Sequence, residues 1–332
     1  VSGALLDDHD VVLFDLDGTV YRGGELVPGA LEAIQQVHSR GVPVRYVTNN
    51  ASKPDQAVVD HLVGLGLQAE RSEVSTSAQA GAAMLAEKLP VGARVLVVGS
   101  PALKSEVEGL GLVPVSEFAD EPVAVVQGLF TELAYRDFAE ACLAIRGGAL
   151  WVACNADRTL PTERGLMPGN GALVELLRAA TDQEPLVAGK PERPLLDRAV
   201  SSSCASRPLM VGDRLDTDIA GAVKADMPSL MVLTGVNTPR HLLEARPGER
   251  PTSVAADLRG VHSPKSVVDV AEQPAWSVSV GERLELSARG EGDELGALRA
   301  LCAAWWSAGA GPVPVEGTDD AARRALRELD ID

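Results

Sequence analysis

The feature that most constrains this chain is Val11-Val12-Leu13-Phe14-Asp15-Leu16-Asp17-Gly18-Thr19, an apolar run that ends on two aspartates and a turn. Four apolar residues predict a buried strand, and Gly18-Thr19 predicts its end. Side chains at i and i+2 of an extended segment share a side, so Asp15 and Asp17 face together while Leu16 turns away. Both carboxylates then stand at the carboxyl end of a strand, where open α/β sheets place their ligands. Two acids so close repel unless a cation or a shared proton offsets their charge. A divalent metal would let one act as a nucleophile and the other as an acid/base. Taken alone, the pattern would equally suit a surface turn.

The rest of the chain repeats a strand–helix rhythm. Pro28-Gly29-Ala30 opens a helical pattern of Leu31, Ile34 and Val37 that stops at Gly41. A second strand, Val42 to Val47, ends at Thr48-Asn49-Asn50, and Pro54 opens another helix. Later, Gly189-Lys190-Pro191 precedes a helix and Pro208 to Val211 reads as a strand. After it come Gly212-Asp213-Arg214-Leu215-Asp216-Thr217-Asp218, a helix through Ala225 and a strand at Leu230 to Leu233. This order predicts an α/β fold with a doubly wound parallel sheet. Strands at 95–98, 123–126 and 150–153 predict an α/β insertion. The expected division is therefore core at 1–82 and 186–260, insertion at 83–185, and a small third α/β unit at 261–332. In the last, Trp276 to Val280 and Arg283 to Leu286 read as strands and Leu295 to Trp306 as a helix.

Composition limits the partners. With 30 basic against 47 acidic residues the chain carries −17, which argues against nucleic acid or an anionic membrane surface. Any phosphate site must then draw positive potential from a metal, a lysine and backbone N–H groups. Aromatics are 3% of residues, so platforms for stacking bases are scarce. The four cysteines show no metal-ligand spacing and are expected to be free, buried thiols. Neither a signal peptide nor a membrane-spanning run is evident, and a soluble, cytoplasmic protein is expected.

Three segments join the aspartate pair as candidate chemistry. Thr48 and Asn49 offer a hydroxyl, amides and N–H groups to phosphoryl oxygens. Lys190 offers an ammonium. Asp213 and Asp218 could hold Mg²⁺, the first directly and the second from behind. Each also has an ordinary structural use, as a turn, a solvated lysine or a helix cap.

Asp-x-Asp-Gly-Thr, strand-Thr-Asn, Gly-Lys-Pro and Gly-Asp-x₄-Asp, in that order, resemble the four signature motifs of the haloacid dehalogenase superfamily of phosphatases. The inserted unit is similar to its C2-type cap. Ala-Gly-Lys-Pro and Gly-Asp-Arg-Leu-Asp-Thr-Asp-Ile are similar to the branch of p-nitrophenyl, phosphoglycolate/glycerol-3-phosphate and pyridoxal-phosphate phosphatases. The resemblance covers roughly residues 8–260. It implies an aspartyl-phosphate on Asp15, Asp17 as acid/base, and Mg²⁺ on Asp15, Asp213 and the carbonyl of Asp17. Lys190, Thr48 and N–H groups near Gly18 and Asn49 would hold the phosphoryl oxygens, and Asp218 would orient Lys190 or metal-bound water.

In the cap, Asn155-Ala156-Asp157-Arg158-Thr159-Leu160 resembles the branch's substrate-facing stretch, so Asn155, Asp157 and Leu160 are carried over as substrate-site residues. Leu160 stands where pyridoxal-phosphate members carry His, which implies a small aliphatic phosphomonoester. Glycerol 3-phosphate is expected first and 2-phosphoglycolate second. Pyridoxal phosphate or a nucleotide is the other enzyme reading, and a non-catalytic phosphometabolite sensor is the reading of another class. Caps of this branch often contribute to dimer contacts, so a homodimer is also an expectation. The tail resembles part of a GCN5-related acetyltransferase. Its loop, Arg289-Gly290-Glu291-Gly292-Asp293-Glu294, puts Glu294 where that family has Gly or Ala, which implies a remnant used for packing or regulation.

Overall fold

The computed structural model describes residues 3–162 and 164–331, which fall into two compact units. The first takes the chain up to Arg45, the short Leu65–Leu67 stretch and everything from Ser203 onward. The second takes Tyr46–Gly64 and Gln68–Ser202.

The chain opens with β1 (Val11–Asp15), the hairpin β2 (Tyr21–Arg22) and β3 (Glu25–Leu26), α1 (Ala30–Ser39) and β4 (Val44–Thr48). It passes into the second unit within β4. Next come α2 (Asp55–Gly64), β5 (Val74–Thr76), α3 (Ser77–Lys88), β6 (Arg94–Val98), α4 (Pro101–Gly109) and β7 (Val113–Val115). They are followed by β8 (Ala124–Gln127), α5 (Tyr135–Arg146), β9 (Leu150–Ala153), β10 (Thr159–Thr162), β11 (Gly165–Pro168), α6 (Asn170–Thr181), β12 (Leu186–Val187) and α7 (Arg193–Ser201). Back in the first unit are β13 (Pro208–Gly212), α8 (Ala220–Lys224), β14 (Ser229–Val232), α9 (Pro239–Leu243), β15 (Ser253–Ala255) and α10 (Lys265–Val268). The chain ends with β16 (Trp276–Val280), β17 (Leu284–Ala288), α11 (Glu294–Ala308), β18 (Val315–Gly317) and α12 (Asp320–Glu328).

In the first unit, β15, β14, β13 and β1 lie side by side and parallel. All five residues of β1 are buried, as a strand covered on both faces requires. The tail does not keep a core of its own. Leu215, Met231, Leu242 and Val254 share one apolar cluster with Trp276, Leu286, Leu298 and Leu326. The expected strand–strand–helix is present, with β16 and β17 antiparallel. The structure adds β18, parallel to β17, and α12.

In the second unit five parallel strands run in the order β12-β9-β8-β6-β7. Their alternation sorts the helices. Val95, Ala124, Val126 and Val152 face Leu85, Leu103 and Val107 of α3 and α4. Leu96, Val98, Val125 and Trp151 face Phe138, Ile145 and Leu177 of α5 and α6. β4 pairs with β5, also in parallel. The stretch after Asp157, which the sequence marks only as a motif, is a two-stranded hairpin of β10 and β11, with Leu160 opposite Met167. Pro161 and Pro168 hide it from pattern reading, since proline is confined to strand edges.

The cysteines depart in part from expectation. All four are free, and Cys154 and Cys302 are buried, but Cys142 is half-buried and Cys204 is exposed. Cys204 sits in the turn after α7 with a positive φ of 52°, outside any apolar layer. Among the described residues no helix is long and apolar enough to cross a membrane.

Candidate active site

The first unit gathers carboxylates. β1 delivers Asp15, which is 9% exposed, and Leu16 turns into the core. Asp17 lies just past the strand, exposed, in an isolated bridge with Tyr21. Gly18, at φ +91°, donates its N–H to the Tyr21 carbonyl at 2.8 Å and so closes the turn. A side chain at Gly18 would also collide with Asp213, because its Cβ would stand 2.6 Å from Oδ2.

Asp213 follows β13 and is completely buried. Thr19 Oγ1 donates to its Oδ1 at 2.9 Å, and the Val236 N–H donates to its Oδ2 at 2.8 Å. The loop after β14 presses against it: a Cβ on Gly235 would lie 1.7 Å from that Oδ2. One turn of π-helix, Leu215–Ile219, follows and carries Asp218 back toward Asp213. Such turns recur at functional sites because they re-aim a side chain within a helix. The Arg214 N–H donates to Asp218 Oδ2 at 3.1 Å. Gly212 makes room, since a Cβ there would stand 2.3 Å from Asp218 Cβ.

One carboxylate oxygen each from Asp15, Asp213 and Asp218 therefore lies within 4.8 Å of the others, all on buried residues. This is a hard, all-oxygen donor set with concentrated negative charge, cradled by glycines, and it fits Mg²⁺. The sequence ranks Asp218 behind the others, yet its carboxylate stands in the cluster itself. The same charge reaches Tyr21, whose phenol is pushed above its ordinary range by burial and then by Asp17 and Asp15. Thr19, Tyr21 and the loop 234–236 escaped the sequence reading. The available signal was a glycine at or within three residues of the end of a buried strand, as with Gly18, Gly212 and Gly235.

The second unit gathers amides around a lysine. Lys190 is only 2% exposed, and its Nζ donates to the Val47 carbonyl at 3.2 Å. Thr48 is buried, and its Oγ1 accepts from the Asn50 N–H at 3.1 Å. The Asn49 side chain brackets the Lys190 backbone: Oδ1 accepts from the Lys190 N–H at 2.8 Å and Nδ2 donates to the Lys190 carbonyl at 2.9 Å. The same Nδ2 faces Asp157 Oδ1 and Oδ2 at 3.1 and 3.2 Å. The Asn49 carbonyl accepts from Asn155 Nδ2 and from Ser77 Oγ, both at 2.6 Å. Asn170 Nδ2 in turn donates to the Asn155 carbonyl at 2.7 Å. Thr48, Asn49, Asn155, Asp157 and Lys190 are thus brought together within this unit. Leu160 stands apart from these bonds, half-buried on β10.

The tail's glycine loop does not offer an open anion site. The Asp293 carboxylate already accepts from the Gly296 N–H at 2.7 Å, capping α11 where a pyrophosphate would need that donor. Trp276 Nε1 holds the Asp293 carbonyl at 3.1 Å.

Comparison with known proteins bears on both clusters. Residues 12–113 match the haloacid dehalogenase-like hydrolase family, and 187–261 match a second model of haloacid dehalogenase-like hydrolases. Residues 273–331 match a GCN5-related N-acetyltransferase like domain. The chain is 47% identical to the D-glycerol 3-phosphate phosphatase of Mycobacterium tuberculosis, over 99% of this chain and 96% of that protein. It is 39% identical to the 5'-nucleotidase YutF of Bacillus subtilis, over 74% of this chain and 94% of that protein. The crystal structure of a glycerol phosphate phosphatase from M. tuberculosis in complex with magnesium superposes with a TM-score of 0.95 at 47% identity, covering 100% of both chains. A p-nitrophenyl phosphatase from Archaeoglobus fulgidus gives 0.71 at 27% identity, covering 76% of this chain and 98% of that one. With its acid cluster at the ends of β1 and β13 and its motifs in family order, this chain belongs to the haloacid dehalogenase-like hydrolases.

Proposed function

We propose that this protein is a Mg²⁺-dependent phosphatase that hydrolyses glycerol 3-phosphate to glycerol and phosphate. The buried cluster of Asp15, Asp213 and Asp218 carries the chemistry of this reading. The substrate follows the mycobacterial glycerol 3-phosphate phosphatase, alike over almost the whole length, tail included. Asp15 and Asp213 hold the metal, with Asp218 beside them and the Asp17 carbonyl completing the protein's share. Mg²⁺ bound there supplies the positive charge that lets a carboxylate and a phosphate approach each other.

The residues then divide the work. An Asp15 carboxylate oxygen attacks phosphorus in line, and the bond from phosphorus to the glycerol oxygen breaks, leaving an aspartyl-phosphate. Asp17, exposed and two residues on, gives its proton to the departing alkoxide. A water attacks the aspartyl-phosphate, Asp17 takes its proton, and phosphate leaves with Asp15 restored. Lys190 and Thr48, with N–H groups near Gly18 and Asn49, hold the phosphoryl oxygens as charge moves. In this reading residues 1–82 and 186–260 are the catalytic core, 83–185 the cap and 261–332 an accessory tail. The enzyme acts on a small phosphorylated metabolite in the cytoplasm.

YutF's name favours one competitor, a nucleoside 5'-monophosphate. A phosphate-release screen over glycerol 3-phosphate, 2-phosphoglycolate, pyridoxal phosphate and nucleoside 5'-monophosphates, with and without Mg²⁺, separates the readings. The expected result is highest kcat/KM on glycerol 3-phosphate and loss of activity with chelator. Preference for a nucleotide by an order of magnitude would replace the substrate, and full turnover in chelator would remove the mechanism.

A further inference from the structure

The bracket around Lys190 carries an inference that rests on the phosphate-holding role just given to that lysine. A phosphate-binding ammonium must be aimed, and a lysine side chain is flexible. Aim therefore begins with the backbone from which it starts. Here a single amide, that of Asn49, satisfies both the N–H and the carbonyl of Lys190, at 2.8 and 2.9 Å. The orientation of that amide is fixed by its partners. The Lys190 N–H requires an acceptor, and the Lys190 carbonyl and the Asp157 carboxylate both require a donor. Asp157 stands just before β10, so the base of the hairpin that carries Leu160 shares an amide group with the lysine. Nor can Asn49 shift easily. Its carbonyl is held by Asn155 and Ser77, and a Cβ on Gly189 would meet its Oδ1 at 2.6 Å.

We propose that Asn49 is the positioning residue for Lys190 and that Asp157 braces Asn49, so that these two side chains act on phosphate through the lysine rather than by touching substrate.

The test is a double-mutant cycle on the full chain, read as kcat/KM for glycerol 3-phosphate and as the Kd of inorganic phosphate by calorimetry in Mg²⁺. The second readout remains available in variants too slow to assay. Asn49→Ala is expected to weaken phosphate binding about tenfold and to lower kcat/KM by roughly 30-fold or more. In the Lys190→Ala background the same change is expected to cost less than about twofold, because coupled residues are not additive. Asn49→Asp, which keeps the acceptor and removes the donors, is expected to behave like Asn49→Ala. Asp157→Asn, which keeps an acceptor oxygen, should stay within about threefold of wild type, and Asp157→Ala should fall between it and Asn49→Ala. Additive costs of Asn49→Ala and Lys190→Ala would mean that Asn49 meets the ligand itself and would overturn the proposal. Equal loss in Asp157→Asn and Asp157→Ala would show that the charge of Asp157, not its acceptor, matters, and would overturn the brace. If Lys190→Ala left both readouts at wild-type values, the lysine's own role would fall, and this proposal with it.

Discussion

The two clusters solve opposite problems. In the first unit, Asp15, Asp213 and Asp218 crowd like charges into a buried space, held by strand ends, three glycines and single donors such as Thr19 and the Val236 N–H. In the second, one buried cation donates to the Val47 carbonyl and has its backbone bracketed by the Asn49 amide, which Asn155 and the Asp157 carboxylate hold in turn. Like charges at such range repel, and a bound Mg²⁺ would offset that repulsion. The lysine cluster already satisfies its backbone groups without a ligand. One cluster is therefore expected to respond to Mg²⁺ concentration, and the other is held by the protein's own hydrogen bonds.

The largest consequence lies in the acid cluster. Asp15→Asn keeps size and polarity but removes the nucleophile's charge. Turnover is expected to fall by roughly three orders of magnitude or more, with substrate affinity within about tenfold of wild type. Phosphate-release kinetics in saturating Mg²⁺ check both numbers. Substantial residual turnover would take the nucleophile away from the acid cluster and dissolve the contrast.

A smaller effect sharpens it, through the glycines that shape each cluster. An Ala Cβ at position 235 would stand 1.7 Å from Asp213 Oδ2, so Asp213 must move. An Ala Cβ at position 189 would stand 2.6 Å from Asn49 Oδ1, so the bracket must move instead. Gly235→Ala is expected to raise the Mg²⁺ concentration for half-maximal activity by about tenfold and to cut kcat/KM about a hundredfold. Gly189→Ala should cost about tenfold in kcat/KM with that Mg²⁺ concentration unchanged. Magnesium titrations of both variants decide this, and an equal Mg²⁺ shift in the two would erase the distinction.

The same contrast explains what could be read in advance. Asp15 and Asp17 are legible because their relation is local, two positions apart at the end of an apolar run. The longer parallel strands β1, β4, β6, β8, β9, β13 and β14 are legible because buried parallel strands are nearly continuous in apolar residues, whereas the short β5, β7, β12 and β15 carry too few such residues to stand out. The lysine's bracket was hidden: Gly-Lys-Pro marks Lys190, but the bonds that aim it reach back 141 residues to Asn49, and Asn49 reaches 108 residues on to Asp157. No periodicity encodes such a pairing. The hairpin of β10 and β11 was masked by its prolines. α12 was masked by charge, since it buries only Ala322, Ala325 and Leu326 among Arg323, Arg324, Arg327 and Glu328. The tail's union with the core was equally invisible, because an apolar helix face in sequence does not say whose apolar surface it will meet.

The smallest expected effect concerns stability, and it too separates the units. Two histidines of the first unit, buried His9 and half-buried His262, have their pKa lowered, chiefly by burial. His262 is hydrogen-bonded through Nε2 to the Ala33 carbonyl at 2.9 Å, and His9 through Nδ1 to the Arg207 carbonyl at 3.3 Å. A folded-state pKa below the unfolded one means that protons bind the unfolded chain more readily. The stability tied to these rings is then fully present above about pH 7.5 and is lost as pH falls through about 6.5 toward the folded values. The Asn49 amide does not titrate in this window, so the lysine bracket adds no such slope. Denaturant midpoints measured at pH 7.5, 6.5 and 5.5 should fall in that order for the wild-type chain. In a His9→Gln, His262→Gln variant, where an amide replaces each ring as donor, the fall should be visibly shallower. An identical slope in that variant would place the acid sensitivity elsewhere, and a steeper one would mean that the rings protect the fold against acid.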